Sequence, residues 1–267
     1  MNIKAPSTWR LAGLWDGAEP GRQRHDDTCL PELRRLRFPA EIISHAVWLY
    51  FRFPLSLRMV DELLAARGII VSYETVRQWA VKFGQVFANQ IRRRLPAAGD
   101  KWHMDEVVIT ISGVKHWLWR AIDQTASRLR RTGVLDILVQ SRRDTQAAKR
   151  LLRKLLKKQC RPPRVMITDK LASYGAAKRE VMPLVEHRKH KGLNNRAENS
   201  HQPTRQRERQ RKRFKSAGQA QRFLPAHDGI NNLFLLRRHQ VPATQYRAAR
   251  TQAFQVWAEV TGVAASA

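Results

Sequence analysis

Apolar residues recur along this chain with two different periods, and the change from one to the other divides it. From Phe38 onward, Ile43, Val47 and Tyr50 fall at the i, i+4, i+7 spacing of a helix face, until Arg52-Phe53-Pro54 interrupts. A second helix is predicted from Ser56 to Arg67, with Val60, Leu63 and Leu64 inward and Gly68 as its stop. Ser72 then caps a third, whose apolar stripe is Val76, Trp79, Ala80, Phe83 and Phe87. Its other face carries Tyr73, Glu74, Arg77, Gln78 and Lys82. Three short helices of this kind form either a helix-turn-helix module that reads base edges or a plain bundle with a solvated face. The pattern alone leaves both open.

Beyond the basic helix end at Arg92-Arg93-Arg94 and a linker running to Asp100, strand-like runs take over. His103 to Ser112, Val114 to Ile122 and Gly133 to Val139, with Gly113 marking the first turn, predict a three-stranded antiparallel meander. Asp144 caps a helix to about Lys158, with Ala147, Ala148, Leu151, Leu152, Leu155 and Leu156 on one face and cations on the other. A strand from Arg164 to Ile167, a helix from Leu171 to Arg179 and a strand from Leu184 to His187 follow. Asn194-Asn195 is expected to start the next helix, kinked at Pro203. Antiparallel strands followed by alternating helix and strand give an α/β layer with a mixed sheet flanked by helices, preceded by an all-α domain. The expected divisions are a loosely ordered arm at 1–35, a helical domain at 36–95, an α/β domain at 100–240 and a C-terminal tail at 241–267.

Charge sharpens this picture. Fifty Lys and Arg residues against 22 Asp and Glu give a net charge of +28, the footprint of a polyanion binder. The cations are spread along the chain rather than set beside an apolar anchor, which argues for nucleic acid over a membrane surface. Hydrophobic residues make up 43% of the chain, enough for a core. Cys29 and Cys160 stand far apart with no partner at metal-ligand spacing, and no signal peptide or membrane span is apparent. A soluble, cytoplasmic protein is expected.

Three acidic residues carry the candidate chemistry. Asp105 opens a strand in Trp102-His103-Met104-Asp105-Glu106; Asp169 closes the apolar run Val165-Met166-Ile167-Thr168; Glu198 lies in Asn194-Asn195-Arg196-Ala197-Glu198-Asn199-Ser200-His201. Carboxylates brought from two strands and a helix can converge on a pair of Mg²⁺ ions, which suits in-line attack on phosphodiesters. Each has a plainer reading. Asp105 could be an exposed strand residue, and Asp169 a helix cap. Alternation turns Glu106 to the opposite face from Asp105, away from a ligand role. The run from Arg205 to Lys215, rich in Lys and Arg, is either a solvated face or a phosphate grip. Trp117 and Trp119 are expected to pack on one sheet face.

These phrases, with Trp117-Leu118-Trp119-Arg120-Ala121-Ile122-Asp123 and Thr168-Asp169-Lys170-Leu171-Ala172-Ser173-Tyr174-Gly175, resemble the DDE transposases of bacterial insertion sequences, the insertion-sequence-six family in particular. Several separate blocks agree in order across residues 36–240. The resemblance implies an RNase H-like catalytic domain behind a helix-turn-helix domain that binds terminal inverted repeats, with Tyr73, Arg77, Gln78 and Lys82 facing the DNA. It implies that Asp105, Asp169 and Glu198 hold two Mg²⁺ (or Mn²⁺) ions, and that His201 and Arg205 approach DNA near the scissile phosphate. Arg209, Arg211, Lys212 and Arg213 would grip phosphates. It further implies replicative transposition through cointegrates, target DNA as second substrate, a homo-oligomer bridging two ends, and action at the bacterial nucleoid. The chain departs from the familiar pattern at Pro203 and in the 28 residues between Asp169 and Glu198, a short gap for the family. A DNA-binding regulator with an inactive triad, and an RNase H-like nuclease without strand transfer, are the competing functions.

Overall fold

The computed structural model describes residues 37–94, 99–124, 133–210, 214–236, 238 and 241–263. The expected arm at 1–35, and Arg211, Lys212 and Arg213, lie outside them. Helix α1 (Ala40–Arg52), α2 (Leu57–Ala65) and α3 (Tyr73–Arg94) form where the apolar stripes predict them. Ser72 Oγ accepts from the Thr75 amide, as the expected cap, while Ser56, expected as the first residue of its helix, caps α2 by accepting from the Met59 amide. The five residues of the α3 stripe are all buried, while Tyr73, Arg77, Gln78 and Lys82 are exposed.

Strands β1 (Lys101–Ile111), β2 (Val114–Asp123) and β3 (Gly133–Gln140) make the antiparallel meander. Its first turn places Ser112 at φ 48° and Gly113 at φ 81°, the paired left-handed residues that match a hairpin's twist. Helix α4 (Thr145–Gln159), capped by Asp144, returns the chain to β4 (Val165–Thr168), which lies parallel to β1. Helix α5 (Ala172–Val181) leads to β5 (Glu186–Lys189), parallel to β4 and two residues later than expected. The sheet order is β3-β2-β1-β4-β5. A meander followed by parallel strands added at the β1 edge is the RNase H-like arrangement.

Helices α6 (Lys191–Ser200) and α7 (Gln202–Gln210) follow, then α8 (Ala217–Phe234) and α9 (Ala243–Thr261). The kink expected at Pro203 is a break between two helices. Proline occupies the first turn of α7, where its missing N–H costs nothing.

Two apolar layers sandwich the sheet. On one face Trp102, Met104, Trp119 and Ala121 pack against α4 and α5. On the other, Val107, Ile109, Leu118 and Ile137 share one continuous core with α8, Trp257 of α9 and all three N-terminal helices. Gly229 permits this approach: a Cβ there would sit 2.7 Å from the Ala88 Cβ, so α8 and α3 cross almost in backbone contact. The N-terminal helices are therefore seated on the sheet's own core.

Candidate active site

Strand β4 ends at Thr168, opposite Met104, while β1 continues to Ile111. The sheet loses a strand beside Asp105, and Asp169 leaves β4 into that notch. Asp105, Glu106 and Asp169 each bring a carboxylate oxygen within 4.8 Å of the other two, the one such group among the described residues. Alternation sends Asp105 toward α6 and Glu106 toward Arg143, as expected. With no strand on the β4 side of these residues, one Glu106 oxygen nevertheless joins the cluster.

The cluster is electrostatically uncomfortable. Burial, and secondly the charge of Asp169, push the Asp105 carboxyl up to about 6, with Arg143 and Arg205 opposing in part. Burial raises Glu106 as well, against the hydrogen bond from Arg143. Asp169 Oδ1 accepts from the Leu171 amide at 3.0 Å, so Asp169 also shapes the entry to α5. Among oxygen donors this crowded, a hard divalent cation removes the repulsion, and the donor set fits one.

Helix α6 begins at Lys191, three residues before the expected Asn-Asn start, because the His190 side chain accepts from the Leu193 amide. Asn194 is thereby inside the helix, where its buried Nδ2 donates to the Met104 carbonyl at 2.9 Å and ties α6 to β1. Glu198 lies one turn further on, exposed, outside the carboxylate group and, among the described residues, without a hydrogen bond or ion pair from its side chain. At about 100° per residue it stands roughly 40° from Asn194 and roughly 60° from His201 around the helix. Those two neighbours both touch the strand residues Met104 and Asp105.

His201, expected at the DNA surface, is 2% exposed with Nε2 3.2 Å from Asp105 Oδ2. Burial, then Arg120 and Arg205, hold it well below the usual histidine range. Burial favours the neutral ring, whose Nε2 faces the Asp105 carboxylate across 3.2 Å. The break that places it is fixed by Arg120, fully buried on β2. Its guanidinium donates to the Ser200 carbonyl and to Thr204 Oγ1 and pairs with Asp228 at 2.7 Å. His227 Nδ1 lies 3.0 Å from the other Asp228 oxygen.

The basic run divides by helix face. Arg205 and Arg209 of α7 are exposed. Arg207 is buried, donating to the Phe53 and Leu55 carbonyls at 2.9 Å each and to that of Tyr50, between the Tyr50 and Phe223 rings. It therefore closes the C-terminus of α1. Glu208 Oε1 accepts from the Thr110 amide at 3.2 Å, on the bare edge of β1. On α3, Arg77 is paired with Glu74 at 2.8 and 2.6 Å.

A mixed sheet in RNase H order, with paired aspartates at its open notch, defines a class of metal-dependent phosphodiester enzymes. Residues 99–238 match the DDE domain family DDE_Tnp_IS240, and the chain belongs to that family, as a DDE transposase of the insertion-sequence type. The transposase of insertion sequence element IS257 in transposon Tn4003 of Staphylococcus aureus is 29% identical over 213 residues, covering 78% of this chain and 91% of that one. The transposase of the IS431mec element of Staphylococcus aureus strain Mu50 / ATCC 700699 is similar to the same extent. Among solved structures, the simian T-cell lymphotropic virus intasome in complex with PP2A regulatory subunit B56 gamma matches with a TM-score of 0.41 and 16% identity, over 58% of this chain and 56% of that one. The HTLV-2 integrase catalytic core domain in complex with magnesium matches with a TM-score of 0.30 and 14% identity, over 40% of this chain and 68% of that one. No helix among the described residues is long and apolar enough to cross a membrane.

Proposed function

We propose that this transposase binds the terminal inverted repeats of its own element through α1–α3 and cuts and joins their ends at the Asp105–Asp169 notch. The observation that carries the reading is the crowding there: two aspartates share a buried site, and the charge of Asp169 raises Asp105. Asp105, Asp169 and Glu198 would hold two Mg²⁺ or Mn²⁺ ions. Bound ions supply activation of the attacking oxygen and stabilisation of the leaving one.

The rest falls to the chain itself. His201, buried 3.2 Å from Asp105 Oδ2, packs behind that carboxylate and limits how it can turn. Asn194 pins α6 to β1, which puts Glu198 one turn along the helix and roughly 40° to one side of that contact. Arg205 and Arg209, together with Arg211, Lys212 and Arg213, grip phosphates and set the register of the DNA. Tyr73, Arg77, Gln78 and Lys82 meet base edges. Joining follows the replicative, cointegrate-forming route, at the nucleoid, with a homo-oligomer holding two ends and target DNA as the acceptor.

Purified protein, a labelled end duplex, Mg²⁺ and target DNA test this directly: a joined product is expected. Cleavage without joining would reduce the protein to a nuclease, and binding without chemistry to a regulator. Glu198→Gln should abolish joining and leave the end-binding isotherm unchanged, whereas Glu208→Gln, which keeps an acceptor for Thr110, should remain active. Near wild-type joining by Glu198→Gln sinks the assignment of the third ligand.

A further inference from the structure

Arg143 lies in the β3–α4 connection, just before the capping Asp144, and nothing in the proposed reaction uses it. Its guanidinium is stacked over the Trp117 ring at 4.8 Å. Nε donates to Glu106 Oε1 at 2.9 Å, Nη2 donates to the same oxygen, and Nη2 stands 3.8 Å from Asp169 Oδ2. Nη1 has no partner among the described residues. The Arg143 side chain remains 38% exposed while that of Glu106 is 1% exposed.

The three clustered carboxylates are thus not equivalent. Glu106 takes both guanidinium bonds on Oε1, so its buried charge is compensated in part. Asp105 accepts from the Glu106 backbone amide and faces the His201 ring, and Asp169 has a guanidinium no nearer than 3.8 Å. A cation arriving at the notch gains most from the two aspartates. A planar fork tethered by a buried acid and an aromatic face has lost its rotational freedom before any ligand arrives, and its unused edge matches phosphate oxygens.

Building on the proposed joining reaction, we infer that Arg143 is a substrate-contacting residue. Glu106 and Trp117 hold its guanidinium so that the free edge receives a non-bridging oxygen of the scissile phosphodiester beside Asp169. Glu106 is the anchor of that arginine and not a metal ligand.

Three full-length variants test this, each checked by circular-dichroism melting. Arg143→Ala should join a pre-bound labelled end about 10²–10³-fold more slowly in single turnover, the usual cost of losing one preorganised donor. Its Mn²⁺ affinity, measured by calorimetry without DNA, should be unchanged or tighter. Arg143→Lys should recover little of the rate, because an ammonium cannot hold Glu106 and offer a fixed second edge together. Glu106→Gln keeps an acceptor for Arg143 and should bind Mn²⁺ as wild type does.

Wild-type joining by Arg143→Ala would overturn the inference. So would a loss of about tenfold or more in Mn²⁺ affinity for Glu106→Gln, the behaviour of a residue within the metal's own coordination. Should Arg143→Ala not fold, Arg143→Lys and the Glu106→Gln titration still decide the matter. A wild-type protein that joins nothing refutes the proposed reaction, while the Mn²⁺ titrations judge the role of Glu106 separately.

Discussion

Replacing Asp105 with Asn should inactivate the protein and make it more stable. In the folded chain the Asp105 carboxyl stands at about 6 against an ordinary value of 3.8, so ionising it opposes folding. At about 1.36 kcal/mol per unit, the penalty at pH 7.5 is at most about 3 kcal/mol. The sign follows from the direction of the shift. A carboxyl raised by folding leaves stability intact below the unfolded value, and that stability is lost as pH rises through the folded one. Wild type and Asp105→Asn should therefore melt together near pH 3.5 and separate between about pH 4 and 6. Above pH 7 the variant should be the more stable by about 1–3 kcal/mol, or roughly 3–10 °C for a chain of this size. Asparagine is nearly isosteric with aspartate, so little else changes. Adding Mg²⁺ or Mn²⁺ at pH 7.5 should raise the wild-type melting point alone; a hundredfold excess over Kd is worth about 2.7 kcal/mol. Melting curves in chelator across that pH range decide the matter. If Asp105→Asn melts at or below wild type at pH 7.5, the crowding is not real and the notch has another use.

Breaking the buried ion pair is expected to be severe: Arg120→Met or Asp228→Leu alone should each cost about 3–5 kcal/mol in urea unfolding, with the double variant recovering part of the loss. Additive losses would show that the two side chains are not coupled. Arg207→Met removes a cation from three carbonyls and two ring faces, and should cost about 2–4 kcal/mol while leaving non-specific DNA binding at matched salt unaltered. A drop in general DNA affinity would return Arg207 to the phosphate-binding set. Arg77→Ala should weaken binding to element ends by about 1–3 kcal/mol with little change on random duplex. Equal losses on both would make it a backbone contact.

The local grammar of this chain was readable without its structure because each element advertises itself within a few residues. Ser56, Ser72 and Asp144 cap the helices they precede, Gly113 turns the hairpin, and the α3 stripe is buried as its spacing demands. The meeting of Asp105 and Asp169 was legible for a similar reason, since one stands on a strand and the other just past a strand's end. What escaped was tertiary. Arg207 sits inside a run that reads as phosphate-binding, and nothing local distinguishes it from Arg205 or Arg209; only packing turns it inward. Arg120 and Asp228 find each other across more than a hundred residues. The helix start at Asn194-Asn195 was misplaced because His190 can cap a helix too, and Asn194 was needed by Met104. Strand alternation set Glu106 apart from Asp105, but its long side chain still brings one oxygen into the group where β4 has stopped. Arg143 had one usable clue: it follows a strand end and precedes a cap, where loops gather binding groups.

The way Arg207 joins α7 to α1 bears on how such proteins diversify. Its partners are main-chain carbonyls and the faces of two aromatic rings. A joint of that kind is blind to the side chains displayed on the outer face of α3. Substitutions at Tyr73, Arg77, Gln78 or Lys82 leave it untouched, so if that face reads DNA ends as proposed, a lineage can rewrite it while the joint between α1 and α7 stays as it was.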